Sequence, residues 1–171
     1  IDVRGILDEM RLIKDSSELD TMRQAATISA QAHVLAMSAT TPGKYEYEIE
    51  AELLYHFKKN GSQFPAYTSI VAGGGNACVL HYIENNAVLN DGDLLLIDAG
   101  CELNGYASDI TRTFPVNGKF SGPQKAIYEL VLAAQNAAIG ATSAGNSWQA
   151  PHDAATKVLA QGFIDLKLCH G

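Results

Sequence analysis

Residues 67 to 116 read as a block of short β-branched, aromatic and apolar stretches cut by tight turns, and long helix-patterned sequence flanks that block on both sides. This segregation constrains the fold more than any other feature. Strands alternating with helices build a parallel sheet, whereas a run of strands between runs of helices builds an α+β domain with antiparallel pairing. The 171 residues suit one domain, and an apolar share of 47% supplies a core for it.

On the N-terminal side, a first helix opens at Asp15-Ser16-Ser17, with Ser17 and Asp20 paired as a capping box. Apolar residues at mixed three and four spacing carry it from Leu19 through Met37 to the breaker Thr41-Pro42-Gly43. A second helix runs from Tyr45 to Asn60, with Glu46, Glu48, Glu50 and Glu52 early and Lys58 and Lys59 late, an order that suits the helix dipole. Gly61 ends it. Strands are expected at Tyr67–Ala72, Cys78–Ile83, Asp93–Ala99 and residues 107–116. Turns are expected at Gly73–Asn76 and Asp91-Gly92, and a loop at 100–106. Two further helices follow, one from Ser121-Gly122-Pro123 to about Ala141 and one from Asn146-Ser147 to about Gly162.

Charge and composition exclude several classes of partner. A formal net charge of -7 argues against nucleic acid, which needs a basic footprint, and against an anionic membrane surface. No apolar run approaches the roughly 18 residues that span a bilayer. The chain opens on Ile1 with no leader pattern, so cytoplasm is the expected location, and the missing initiator Met points to a segment of a longer product. Cys78, Cys101 and Cys169 fit no zinc spacing and read as packed thiols.

The chemistry centres on two carboxylates. Asp98 ends the run Leu94-Leu95-Leu96-Ile97, and Asp109 lies in Ser108-Asp109-Ile110-Thr111-Arg112-Thr113-Phe114. If the chain turns back between them, both side chains can meet on one sheet face. A carboxylate in an apolar run is costly unless it is paired or bound to metal, and two converging carboxylates also repel. A hard divalent cation such as Mn²⁺ or Mg²⁺ answers both costs. The alternatives are local: an Asp beside a turn often caps backbone, and Arg112 is a possible ion-pair partner. His81 reads either as a hydrogen-bonded core histidine or as a proton donor near a reacting carbonyl. Gly73-Gly74-Gly75 lacks the spacing of a phosphate loop and reads as a flexible connection. His33, His56 and His152 read as ordinary helix-face or packing residues.

The stretch Leu94-Leu-Leu-Ile-Asp-Ala-Gly-Cys-Glu-Leu-Asn-Gly-Tyr-Ala-Ser-Asp-Ile-Thr-Arg-Thr-Phe-Pro-Val-Asn-Gly-Lys-Phe120 resembles the aminopeptidase P branch of the pita-bread metallopeptidases, family M24. The stretches from Arg11 to Ala25 and from Tyr67 through His81 to Asn85 resemble it too, and residues 121–168 look like its next helix pair. The resemblance implies that residues 1–171 are an incomplete pita-bread catalytic domain, with its first half at 11–120 and the helices of its second half at 121–168. It implies two divalent metal ions, Mn²⁺ foremost, with Asp98 chelating one and Asp109 bridging both. His81 would contact substrate and help stabilise the tetrahedral intermediate, and Tyr67 would lie near the substrate pocket. A metal-bridging hydroxide would attack the scissile carbonyl of a peptide with Pro in second position, releasing the N-terminal residue. Same-fold alternatives are an Xaa-Pro dipeptidase, a creatinase-like hydrolase and a non-catalytic protein-binding module.

The family's remaining ligands, a histidine and two glutamates, have no match before Gly171, and His170 is not assigned as one. The 171 residues alone are therefore expected to show little or no catalysis. With sheet edges and apolar faces open, they are expected either to form homo-oligomers or to be unstable.

Overall fold

The computed structural model describes residues 2–169. The chain divides into two compact units at Lys119. The first holds α1 (Arg4–Leu12), α2 (Ser16–Ala39), α3 (Glu46–Lys59), β1 (Phe64–Pro65), β2 (Ile70–Gly73), a 3-10 turn (Gly74–Cys78), β3 (Leu94–Ala99), β4 (Cys101–Leu103), β5 (Tyr106–Ala107) and β6 (Ile110–Pro115). The second holds α4 (Gly122–Ala141) and α5 (Ala150–Asp165), packed on each other, with Gly162 admitting the Leu130 side chain where a Cβ would collide with it. The element order is the expected α+β one, and every pairing between strands is antiparallel.

Two three-stranded sheets form, in the orders β2-β3-β6 and β1-β4-β5. Along β3 the burial alternates with the two-residue period of a strand. Leu95, Ile97 and Ala99 enter a core with Ala25, Ile28, Ala32 and Ala36 of α2 and Ile49, Leu53 and Phe57 of α3. Leu94, Leu96 and Asp98 therefore face the other way. The continuous apolar run thus hides an alternation: helices cover one face, and the opposite face is left for Asp98.

Helix boundaries follow local chemistry, with one correction. The capping box of α2 uses Asp15 and Glu18, not Ser17 and Asp20. The Asp15 carboxylate accepts from the Glu18 N–H at 2.9 Å, and Glu18 returns the bond to the Asp15 N–H at 2.7 Å. Ser17 instead donates to the Asp15 side chain. Helix α4 starts where expected, at Ser121-Gly122-Pro123, and the structure adds a capping box of Ser121 with Gln124 reciprocating.

Three strand expectations change. Residues 78–83 form no strand, and of the turn expected at 73–76 Gly73 ends β2 while residues 74–76 open the 3-10 helix. The reason is that the outer edge of β2 is already occupied: Asn85 accepts from the Val71 N–H and donates to the Ser69 carbonyl, standing in for a neighbouring strand. The expected loop at 100–106 instead contains β4 and the start of β5. The strand expected from Tyr67 is shorter and begins at Ile70. The N-terminal helix α1 lies outside the elements expected from sequence.

Candidate metal centre

The return of the chain to the first sheet brings the two aspartates together. Strand β3 pairs with β6, placing Asp98 opposite Thr111 and, on the other side, opposite Ile70. Asp109 precedes Thr111 by two residues and shares its parity, so Asp98 and Asp109 address the same sheet face. Between them the chain leaves to build β4 and β5, then returns past Gly100. A Cβ at Gly100 would lie 1.7 Å from the Ser108 carbonyl oxygen, so glycine is required for the strands to cross this closely. Behind the crossing, Ser29 and Ser108 share a buried hydroxyl bond of 2.7 Å, and both accept from the Cys101 N–H. This polar knot fixes Ser108, the residue before Asp109, to α2.

Tyr67 closes the site. Its hydroxyl lies 2.6 Å from Asp98 Oδ1 and 2.9 Å from Asp109 Oδ1. A phenol carries one proton, so it can satisfy only one of these oxygens fully at a time. Burial holds the Tyr67 hydroxyl well above the ordinary phenol range, and the bonds to Asp98 and then Asp109 push it the same way. It is therefore a neutral donor at physiological pH. Neither aspartate caps local backbone among the described residues. Arg112 is not their partner: it sits opposite Ile97, and its guanidinium donates to the Thr111 carbonyl. Both local alternatives raised by the sequence thus give way to convergence.

The donor set fits a hard divalent cation. Two carboxylates converge on a single hydroxyl, and no ion pair to either occurs among the described residues, an arrangement of oxygen donors that suits such a cation. They would supply only part of a coordination sphere, since no group of three or more His, Cys, Asp and Glu residues poised for a metal occurs among the described residues. His81 is exposed, at φ 56°, in the irregular segment that follows the 3-10 turn. Its ring makes no hydrogen bond to the three clustered residues among those described. The other described histidines lie on helices as expected, with His152 exposed on α5. His33 is buried with Nδ1 on the Ser29 carbonyl, and His56 lies beside Asn60. His170 lies outside the described residues.

The model of metallopeptidase family M24 matches residues 20–171. The chain belongs to metallopeptidase family M24. Among its relatives in this family, an Xaa-Pro aminopeptidase of Haemophilus influenzae is 54% identical over 171 residues, all of this chain and 40% of that protein. An Xaa-Pro aminopeptidase of Escherichia coli is 43% identical over 171 residues and 39% of its own length. Among solved structures, aminopeptidase PepP of Pseudomonas aeruginosa superposes with a TM-score of 0.98 at 53% identity, over 100% of this chain and 39% of that one. An E. coli aminopeptidase P variant in complex with substrate superposes at 0.97 with 43% identity, over the same shares. The M24 chain thus spans about 40% of the length of the curated relatives it matches. The fold is that of the aminopeptidase P structures, the pita-bread fold expected from sequence.

One residue at this end of the M24 chain escaped sequence reading. Glu46 counted there only as an early acidic helix residue, yet it is fully buried and bonded on both oxygens. Its position in the first turn of α3 resembles that of the exposed Glu48, so the helical pattern carried no signal of its burial.

Proposed function

We propose that this chain serves in a metal-dependent aminopeptidase that releases the N-terminal residue from peptides with Pro in second position. The observation that carries the reading is the convergence of Asp98 and Asp109 on the Tyr67 hydroxyl, in a chain 54% identical throughout to an Xaa-Pro aminopeptidase. Asp98 and Asp109 would hold two divalent cations, Mn²⁺ foremost, with Asp109 reaching both. When bound, such cations supply Lewis acidity toward the scissile carbonyl and an activated water at neutral pH.

The chain's own residues do the rest. Tyr67 orients the two carboxylates and, at the mouth of the pair, borders the space for substrate. His81, exposed at a bend of the segment beside β2, would donate a hydrogen bond to the carbonyl oxygen as charge develops on it. The 171 residues alone supply two carboxylates and no third ligand among those described, so we assign catalysis to the longer protein and none to this segment.

The test is calorimetry of Mn²⁺ binding with hydrolysis of Xaa-Pro peptides, on the full-length protein and on Asp109→Asn. Loss of Mn²⁺ binding in the variant, with hydrolysis lowered at least about 1,000-fold, is the expected result. Undiminished Mn²⁺ binding by Asp109→Asn would remove Asp109 from the metal set. Cleavage confined to dipeptides would move the assignment to an Xaa-Pro dipeptidase of the same fold.

A further inference from the structure

Glu46 lies in the first turn of α3 and is 0% exposed. A carboxylate taken out of water without a cation beside it requires several donors. Glu46 has four. Oε1 accepts from the Gly73 N–H at 2.8 Å and from the Asn76 side-chain amide at 3.0 Å. Oε2 accepts from the Tyr82 hydroxyl at 2.7 Å and from the Ala87 N–H at 2.9 Å. The backbone N–H of Glu46 also donates to the Ala87 carbonyl at 2.9 Å. No ion pair to Glu46 occurs among the described residues.

The four donors come from the end of β2, from the 3-10 turn and from the irregular segment 79–87. That segment joins no strand ladder, so scattered backbone bonds and the side chains of Glu46, Asn76 and Asn85 hold it. Tyr82, next to His81, is clasped by Glu46 and by the Asn76 amide. Its ring packs with Ile70, Ala72 and Leu96, on the sheet face that bears Asp98. His81 itself holds φ 56°, in the left-handed region that few non-glycine residues adopt.

We propose that Glu46 is a positioning residue, whose buried carboxylate folds the 74–87 segment so that His81 is presented on the face carrying Asp98 and Asp109. This rests on the role of His81 proposed above. The acid itself is distant in sequence from all three and acts only through the segment it gathers.

The test uses the full-length protein. Glu46→Gln keeps the side chain's shape but turns one acceptor oxygen into an amide that faces existing donors. Expected is a fall in kcat of about 10- to 100-fold toward an Xaa-Pro peptide. Mn²⁺ affinity should stay within about twofold of wild type, because Asp98, Asp109 and Tyr67 keep their mutual bonds. The deciding readout is a double-mutant cycle. In an His81→Ala background, Glu46→Gln is expected to cost less than about threefold. An equal loss in both backgrounds overturns the proposal, as does full activity of Glu46→Gln. Hydrogen exchange needs no activity: amides of 79–87 should lose protection in Glu46→Gln while those of α2 keep theirs, and unchanged protection of 79–87 also overturns it. If Glu46→Gln does not fold, Tyr82→Phe removes one of the four donors and should act in the same direction through His81. A wild-type protein without Xaa-Pro hydrolysis defeats the proposed function, and the exchange comparison then judges the hold of Glu46 on the segment by itself.

Discussion

At the scale of single residues, electrostatics raised candidates for the site and the family resemblance gave them their roles. The resemblance joined Asp98 to Asp109 as a metal ligand, and spacing left a local cap and an Arg112 pair open, but Asp98 first drew attention because a carboxylate in apolar strand sequence needs a partner. Tyr67 could not be found that way, since its two acceptors lie 31 and 42 residues along the chain, and only the family resemblance placed it near the pocket. Its contact makes a prediction. In metal-free protein the Tyr67 hydroxyl is the one donor shared by the two carboxylates among the described residues, so Tyr67→Phe should lower stability by about 1.5–3 kcal/mol. Saturating Mn²⁺ should close most of that gap, because the cation then compensates the same charges. Thermal unfolding of full-length wild type and variant, with and without Mn²⁺, decides it. A deficit that Mn²⁺ leaves unchanged would show that the hydroxyl does not hold the pair together.

Elements were legible where their signal was local and illegible where pairing decided. The helices α2, α3 and α4 were fixed by periodicity and by their breakers or caps. Residues 78–83 looked like a strand by texture, but the Asn85 side chain takes the edge they would have needed. The stretch 100–106 looked like a loop because its two short strands pair only with each other and with β1. Gly100 shows how much one position governs here. Gly100→Ala would drive a Cβ into the Ser108 carbonyl rather than into a movable side chain. We expect it to cost more than about 3 kcal/mol of stability and to weaken Mn²⁺ binding together with folding, since the displaced strand carries Asp109. Urea unfolding and calorimetry on the same preparation check both, and wild-type stability in the variant would refute the close crossing.

The α2 cap offers a pH test at the same scale. The Glu18 carboxyl is held below its usual range, first by the Tyr106 hydroxyl and then by the Asp15 N–H. Asp15 is held low mainly by the Glu18 N–H and the Ser17 hydroxyl. Depressed carboxyls contribute stability that is complete above their unfolded pKa values and is lost as pH falls through the folded ones. Exchange protection in the first turn of α2 should therefore be flat through neutral pH and decline below the ordinary carboxylate range. Asp15→Asn and Glu18→Gln should flatten that decline. A decline of the same size in both variants would assign it to other groups.

At the scale of the whole molecule, the question is what covers the apolar surface. Helix α1 buries none of its residues, and Ile6, Leu7 and Met10 are all at least half exposed. Trp148, in the second unit, is 98% exposed. Monomeric proteins rarely leave large contiguous apolar patches in water, and Ile6, Leu7 and Met10 share one short helix. The 171 residues expressed alone should therefore self-associate at micromolar concentration, bind an apolar dye, and hydrolyse no Xaa-Pro peptide. Sedimentation velocity, dye fluorescence and a peptide assay measure the three. The exposed side chains argue for the first two outcomes. The third follows from a different lack, since two carboxylates with no third ligand among the described residues cannot complete a metal site. The outcomes can therefore separate. A monomeric, dye-silent chain would mean that the exposed helix faces are tolerated in water. Hydrolysis by a self-associated chain would mean that copies of this segment supply one another's missing ligands. Association without hydrolysis, relieved by adding the remaining length of the full protein, is the result expected if that length provides both the covering surface and the other ligands.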